Sequence, residues 1–287
     1  MNILSAENIS HSFTDKVLLD DTSFFIQEND KIGIIGINGT GKSTLLKIIA
    51  GAEEPQQGTV TKANGTVISF LSQHPIFSED ETVIEHVLKN NTEKNHAWDI
   101  ETQAKSLLTK FGLTDFNQKL SELSGGQKKR VSLISVLVSP ADILVLDEPT
   151  NHLDSEMAEY LEEYLKAFKG ALVMVTHDRY FLDSVTNRIV EIDKGKLYRY
   201  DTNYSGFLAL KAEREEMAMA SDRKRKSILR TELKWIQRGA LARSTKQKAR
   251  IERYEEMKNQ KDFKTDETVK IGSVASRLGK TIIELEN

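Results

Sequence analysis

The spacing of apolar and polar positions changes several times along the chain, and each change marks a predicted element. Residues 1 to 28 read as short strands with a turn at Thr14-Asp15-Lys16, and Phe13 stands just before that turn. The apolar run Lys31 to Ile35 predicts a strand, and Thr44-Leu45-Leu46-Lys47-Ile48-Ile49-Ala50 predicts a helix that stops at Gly51. Pro55-Gln56-Gln57-Gly58 breaks the chain, after which Thr59–Lys62 and Thr66–Leu71 alternate as strands with Asn64-Gly65 as a hairpin turn. From Glu81 to about Gln118 the period turns helical, with Val83, Ile84, Val87 and Leu88 on one face of a small helical subdomain.

Beyond that subdomain the chain alternates helix and buried strand. A helix opens at Leu123-Ser124-Gly125-Gly126-Gln127 and runs to Pro140, and Ile143-Leu144-Val145-Leu146 is a buried strand ending in Asp147-Glu148-Pro149. A helix from about Ser155 to Lys169 and a second buried strand, Ala171 to Thr176, follow. This alternation implies a parallel sheet, and ligands in such sheets bind at the strands' carboxyl ends, where Glu148 and His177 stand. No proline occurs after Pro149. The stretch from Phe207 to about Trp235 is rich in helix formers, Gly239 interrupts it, and a second helical stretch runs from about Leu241 to Lys261. The two arms predict a projecting hairpin, each arm about 30 to 45 Å long at the usual helical rise. Its apolar positions are too sparse to bury much surface alone.

Composition narrows the class. Of 287 residues, 39% are apolar and 29% charged, enough for a core and typical of a soluble protein. No apolar run approaches the length of a membrane helix, the first residues lack a signal peptide's basic region, and the lack of cysteine fits a reducing cytoplasm. The net charge of -3 averages two unlike regions. Arg223 to Arg253 holds twelve Lys/Arg against Glu232 and Glu252, a balance of +10, leaving -13 for the remainder. An acidic body with a basic segment points to a polyanionic partner; a solvated helical face is the plainer alternative.

The stretch Gly36-Ile37-Asn38-Gly39-Thr40-Gly41-Lys42-Ser43 carries the chemistry. Its glycines let backbone N–H groups turn toward phosphate oxygens, and the helix that follows adds a positive dipole end. Lys42 would reach the β/γ-phosphates, Ser43 would hold Mg²⁺ and Thr44 continues the phosphate-facing turn. Asp147 would bind Mg²⁺ directly or through water, and Glu148 would polarise the attacking water. Ser124, Gly125, Gly126 and Gln127 form a second phosphate-binding surface; one domain already has its own, so this one would serve a nucleotide held by another domain.

These motifs, in this order, resemble the ATP-binding cassette family. The resemblance implies a P-loop α/β cassette over residues 1–202, with a parallel core sheet, an antiparallel β subdomain and a helical subdomain. It implies Phe13 as the aromatic stacked on adenine, Gln73 as a nucleotide and Mg²⁺ contact, Asp154 in the D-loop, and His177 as the switch histidine. Trp235-Ile236-Gln237-Arg238-Gly239-Ala240-Leu241-Ala242-Arg243-Ser244-Thr245-Lys246-Gln247-Lys248-Ala249-Arg250 resembles the interdomain linker of ABC-F proteins, as do Asn151-His152-Leu153-Asp154 and His177-Asp178-Arg179-Tyr180-Phe181-Leu182.

Members of that family join two cassettes and act on ribosomes, so a basic hairpin linker is expected over 203–265, with Arg238, Arg243, Lys246, Lys248 and Arg250 on tRNA or rRNA. Trp235 would stack on a base or staple the hairpin. The run Ile282–Asn287 resembles Ile3–Asn8, so 266–287 would begin a second cassette; otherwise the half-sites could work only by self-pairing of two copies. A transport ATPase and a DNA-binding repair ATPase share the cassette motifs, and a translation factor would share them with an antibiotic-resistance protein.

Overall fold

In a computed structural model, the structure describes residues 1–13, 16–73, 75, 77, 78, 80–89, 97–237 and 245–259. The chain divides into two units, Met1–Leu210 and Lys211–Asn287. Strands β1 (Asn2–Phe13) and β2 (Lys16–Gln27) open the first unit as an antiparallel pair. Next come β3 (Lys31–Ile35), α1 (Lys42–Ala50), β4 (Gln57–Lys62) and β5 (Ile68–Leu71). Helices α2 (Val83–Leu88) and α3 (Ala97–Lys110) precede α4 (Gly125–Val138), which leads to β6 (Ile143–Asp147). The unit continues with α5 (Ser155–Ala167), β7 (Ala171–Val175), α6 (Arg179–Val185), β8 (Arg188–Asp193) and β9 (Lys196–Tyr200).

Two sheets result, a three-stranded one in the order β2-β1-β4 and a six-stranded one in the order β5-β6-β7-β3-β8-β9. In the larger sheet only β9 runs antiparallel to its neighbour. Both faces of its centre are covered, which is why β6 and β7 read as unbroken apolar runs. Ile143, Val145, Val173 and Val175 pack with Leu45, Leu46 and Ile49 of α1 and with the smaller sheet. Leu144, Leu146, Leu172 and Met174 face the other way, toward Val131 and Ile134 of α4 and Phe111 of the helical part.

Two expectations are corrected. Asn64-Gly65 is a turn, with Gly65 at φ 81° and the Thr66 N–H donating to Ala63 O at 3.1 Å, but it joins two sheets rather than closing a hairpin. The strand before it pairs with β1, whereas β5 pairs in parallel with β6, where Ile68 and Phe70 pack on the core. The opening strands are long rather than short. Asn8 and Asp21 adopt left-handed φ of 53° and 45° and shift the register, which breaks the alternation into what reads as pieces.

In the second unit, the long α7 (Tyr204–Gln237) starts inside the first unit, and α8 (Thr245–Asn259) follows. The Arg225 guanidinium of α7 donates to Met257 O near the end of α8 at 3.1 Å and pairs with Asp222 at 2.6 Å. The expected start of a second cassette, 266–287, lies outside the described residues.

Candidate active site

The phosphate loop follows directly from β3. A Cβ at Gly36 would lie 2.8 Å from Ile192 O, and one at Gly41 would lie 3.0 Å from Leu18 Cβ with φ at 100°. Both positions therefore exclude side chains. Thr40 closes the loop, its N–H and its hydroxyl both donating to Ile37 O at 3.2 and 2.8 Å. Helix α1 begins at left-handed Gly41 with no side-chain cap, and the Leu45 N–H to Gly41 O bond, 2.8 Å, is its first turn. The N–H groups of Lys42, Ser43 and Thr44 thus have no acceptor within the helix. The Lys42 ammonium donates to Gly36 O at 2.8 Å and Ile37 O at 3.2 Å. Burial lowers its pKa, and the carboxylates of Glu148 and Asp147 pull it back up.

The carboxylates come from the end of β6. Asp147 is its last residue and is buried. Glu148 takes φ 54°, and its N–H still donates to Val175 O at 2.8 Å, so the chain turns while remaining pinned to β7. Glu148 Oε2 accepts the His177 N–H at 3.3 Å, and Oε1 lies 3.5 Å from His177 Nε2. The imidazole is 70% exposed and the carboxylate 8%, so the histidine sits on the solvent side of the pair. The hydroxyls of Thr150 and Thr176 bond at 2.9 Å, and Thr176 Oγ1 accepts the Asp178 N–H at 3.2 Å; together they fix the two loops that carry Glu148 and His177. Burial raises the Glu148 pKa and Asp147 adds to the rise, while His177 and Lys42 oppose it.

A cavity of about 630 Å³ collects these groups. That volume falls within the usual range of small-molecule sites. Asn38, Gly39, Gly41, Lys42, Ser43 and Thr44 line one wall, and Gln73, Asp147, Glu148, Val175 and His177 line another. Phe13, 72% exposed, stands at the mouth, and the buried Leu18 completes the lining. Gly36 and Thr40 shape the loop from behind and do not line the cavity. One lining cation escaped the motifs: Lys16, whose Nζ is 3.4 Å from where a Gly39 Cβ would stand. Its only sequence signal was its place across the turn from Phe13, with which it pairs in register.

Five predicted residues are held elsewhere. Ser124 is the N-cap of α4, and Gln127 completes a capping box by accepting the Ser124 N–H at 2.9 Å. Gly125 and Gly126 form the first turn; a Cβ at Gly125 would meet nothing within 4 Å. Asp154, the fifth such residue, caps α5 by accepting the Met157 N–H at 2.9 Å. None of these lines the cavity. Arg238 and Arg243 lie outside the described residues; Lys246, Lys248 and Arg250 lie on α8, but their side chains, like that of Trp235, do not belong to the described part.

A protein-family model described as ABC transporter matches residues 19–151, and a second of the same description matches 190–271. Together they span the phosphate loop, the Asp147-Glu148 strand end and the helices of the second unit. The chain belongs to the ABC-F family of ATP-binding cassette proteins. Among relatives, the uncharacterized ABC transporter ATP-binding protein YfmR of Bacillus subtilis is 45% identical, covering 100% of this chain and 51% of its own length. The energy-dependent translational throttle protein EttA of Mycobacterium tuberculosis is 36% identical over 99% of this chain and 58% of its own. The ATP-binding protein Uup of Buchnera aphidicola is 34% identical over 100% and 49%.

The cassette chain therefore spans about half the length of these curated relatives. A solved structure titled as the ATP-binding subunit of an ABC transporter superposes with a TM-score of 0.63, covering 69% of this chain and 90% of that one. At 23% identity it shows the fold alone. Among the described residues no helix is long and apolar enough to cross a membrane.

Proposed function

We propose that this cassette is the ATP-binding half of a switch that acts on the ribosome from the cytoplasm. One observation carries the reading: a single cavity gathers Lys42, the uncapped start of α1, Asp147, Glu148 and His177, while the capped start of α4 lies outside it. The cavity is furnished for a nucleoside triphosphate, and Ser124 through Gln127 are left to face a nucleotide held by an opposing cassette. That cassette would be a second domain of a longer chain, or another copy of this one. The ribosome enters through similarity to proteins named translational throttle and through the +10 balance of residues 223–253. Cations on a helical hairpin hold phosphate backbones without reading sequence.

The donors in the cavity suit Mg²⁺, a hard cation that prefers oxygen ligands: Ser43, Asp147 and the Gln73 amide oxygen would hold it. When bound, it would neutralise charge on the phosphates. The remaining work belongs to the side chains. Lys42 exchanges two backbone carbonyls for phosphate oxygens, the free N–H groups of α1 receive the same phosphates, and Phe13 stacks on the base. Glu148 accepts the proton of the attacking water, and its contact with His177 holds the carboxylate in place. ATP binding favours the closed pair of cassettes, and hydrolysis releases it.

Glu148→Gln removes the base and keeps the shape, so hydrolysis should fall at least about 100-fold. In ribosome co-sedimentation, this variant should pellet with ribosomes in ATP and not without it. Changing Arg238, Arg243, Lys246 and Lys248 to Ala should abolish pelleting and leave ATP binding intact. Failure to pellet in either nucleotide state would overturn the ribosomal reading, and binding to branched DNA in its place would redirect it.

A further inference from the structure

The ring at the mouth of the cavity stands at the end of a strand whose ladder has run out. Strand β4 pairs with β1 only as far as Ser10 opposite Gln57. Past that point a side chain takes over the strand's work. Gln56 Oε1 accepts the Ser12 N–H at 2.9 Å, and Gln56 Nε2 donates to Ser12 O at 3.0 Å, reproducing the two bonds of a β partner. One residue earlier, the buried His11 imidazole lies 3.0 Å from Glu53 Oε1. Glu53 in turn belongs to the close of α1, where its N–H donates to Lys47 O at 3.3 Å and its carboxylate lies 3.8 Å from the Lys47 ammonium. Two consecutive residues of β1 are thus tied to residues 53–56, the segment that follows α1. The next residue is Phe13.

We propose that Gln56 is a positioning residue for the base-stacking ring of Phe13, bracing the end of β1 from the segment that follows α1. The inference rests on the nucleotide reading of the cavity. On its other side Phe13 is held by Lys16, with which it pairs in register. Without Gln56 the strand end loses its second edge, and the ring spends less time where a base would meet it. Phosphate binding, made by Lys42 and the start of α1, is untouched by that loss.

Calorimetric titration of the 287-residue chain with MgATP and with tripolyphosphate, which has no base, tests this. Gln56→Ala should raise the ATP dissociation constant on the order of 5-fold, the effect of losing about one net hydrogen bond, and leave tripolyphosphate unchanged. In a Phe13→Ala background the same change should have no further effect on ATP. Gln56→Met, which keeps the bulk and removes both bonds, repeats the measurement should the alanine variant unfold. Equal weakening of both probes, an unchanged ATP constant, or an undiminished effect in the Phe13→Ala background would each overturn the proposal. If Phe13→Ala itself binds ATP as well as the parent, the stacking reading fails and this inference with it. If Phe13→Ala weakens ATP and Gln56→Ala does not, only the brace is wrong.

Discussion

Two lysines sit at opposite ends of β3 in near-identical bonding and opposite circumstances. Lys31, its first residue, donates to Phe168 O at 2.6 Å and Gly170 O at 3.0 Å; Lys42, beyond its last, donates to Gly36 O and Ile37 O. Burial depresses both pKa values, that of Lys31 to about 8. Around Lys42 stand Asp147, Glu148 and an open cavity, so on the proposed reading its carbonyl partners are placeholders that a phosphate would displace. Lys31 lies 4.7 Å from the centroid of the Phe168 ring, and its carbonyls belong to the turn that starts β7. Similar donors would thus serve binding at one end of the strand and folding at the other. Bonding pattern alone does not separate them; the neighbouring charge and open space do.

The largest effect that would sharpen this contrast is expected at Lys42. Lys42→Ala should weaken ATP on the order of 100-fold, as for loss of a charged hydrogen-bonding group, and leave the unliganded melting temperature close to the parent's. ATP should then raise that temperature far less at the same concentration, because stabilisation by a ligand follows its affinity. A large drop in unliganded stability would show that Lys42 is structural like Lys31, and the contrast would collapse.

The reverse outcome is expected at Lys31. Lys31→Met keeps the stem against Phe168 and strands two carbonyls, at a cost of about 1–2 kcal/mol in stability. Its ATP affinity should match the parent's by titration. Weakened ATP binding at unchanged stability would show that the two ends of β3 are not separable.

The sequence disclosed one end of this strand far better than the other. Gly36 to Ser43 is contiguous, each residue type follows from a local need, and Asp147, Glu148 and His177 end strands whose apolar runs are plain; the cassette architecture was readable for the same reason. Asn64-Gly65 misled because a turn is local but the partner of a strand is not: β4 and β5 diverge to edges set by residues 4–10 and 143–146. The roles of Lys16 and Gln56 did not show in the sequence for a related reason. Each acts across a turn or a sheet edge, and neither belongs to a run with a period. The capping roles of Ser124 and Asp154 were hidden under a motif that draws attention to the ligand-facing use expected of them.

The smallest effect is a pH dependence at Lys31, and its sign is fixed by the direction of the shift. The folded protein releases this proton near pH 8, whereas the unfolded chain keeps it to about 10.4, the ordinary value for lysine. Below pH 8 both states are charged, and the folded state carries the full cost of a buried ammonium. As pH rises from 8 toward 10.4, the folded state sheds that charge first, so the stability of the parent relative to Lys31→Met should increase. The amine is only half-buried, and solvent screening keeps the gain below about 1 kcal/mol. Chemical denaturation of both proteins at pH 7 and pH 9.5 measures it as a difference of differences, in which titration of other groups largely cancels. A parent advantage that shrinks with pH would mean that the two carbonyls and the Phe168 face stabilise the ammonium more than burial penalises it. Lys31 would then be a net favourable cation, held as firmly by its charge as Lys42 is expected to be held by a phosphate.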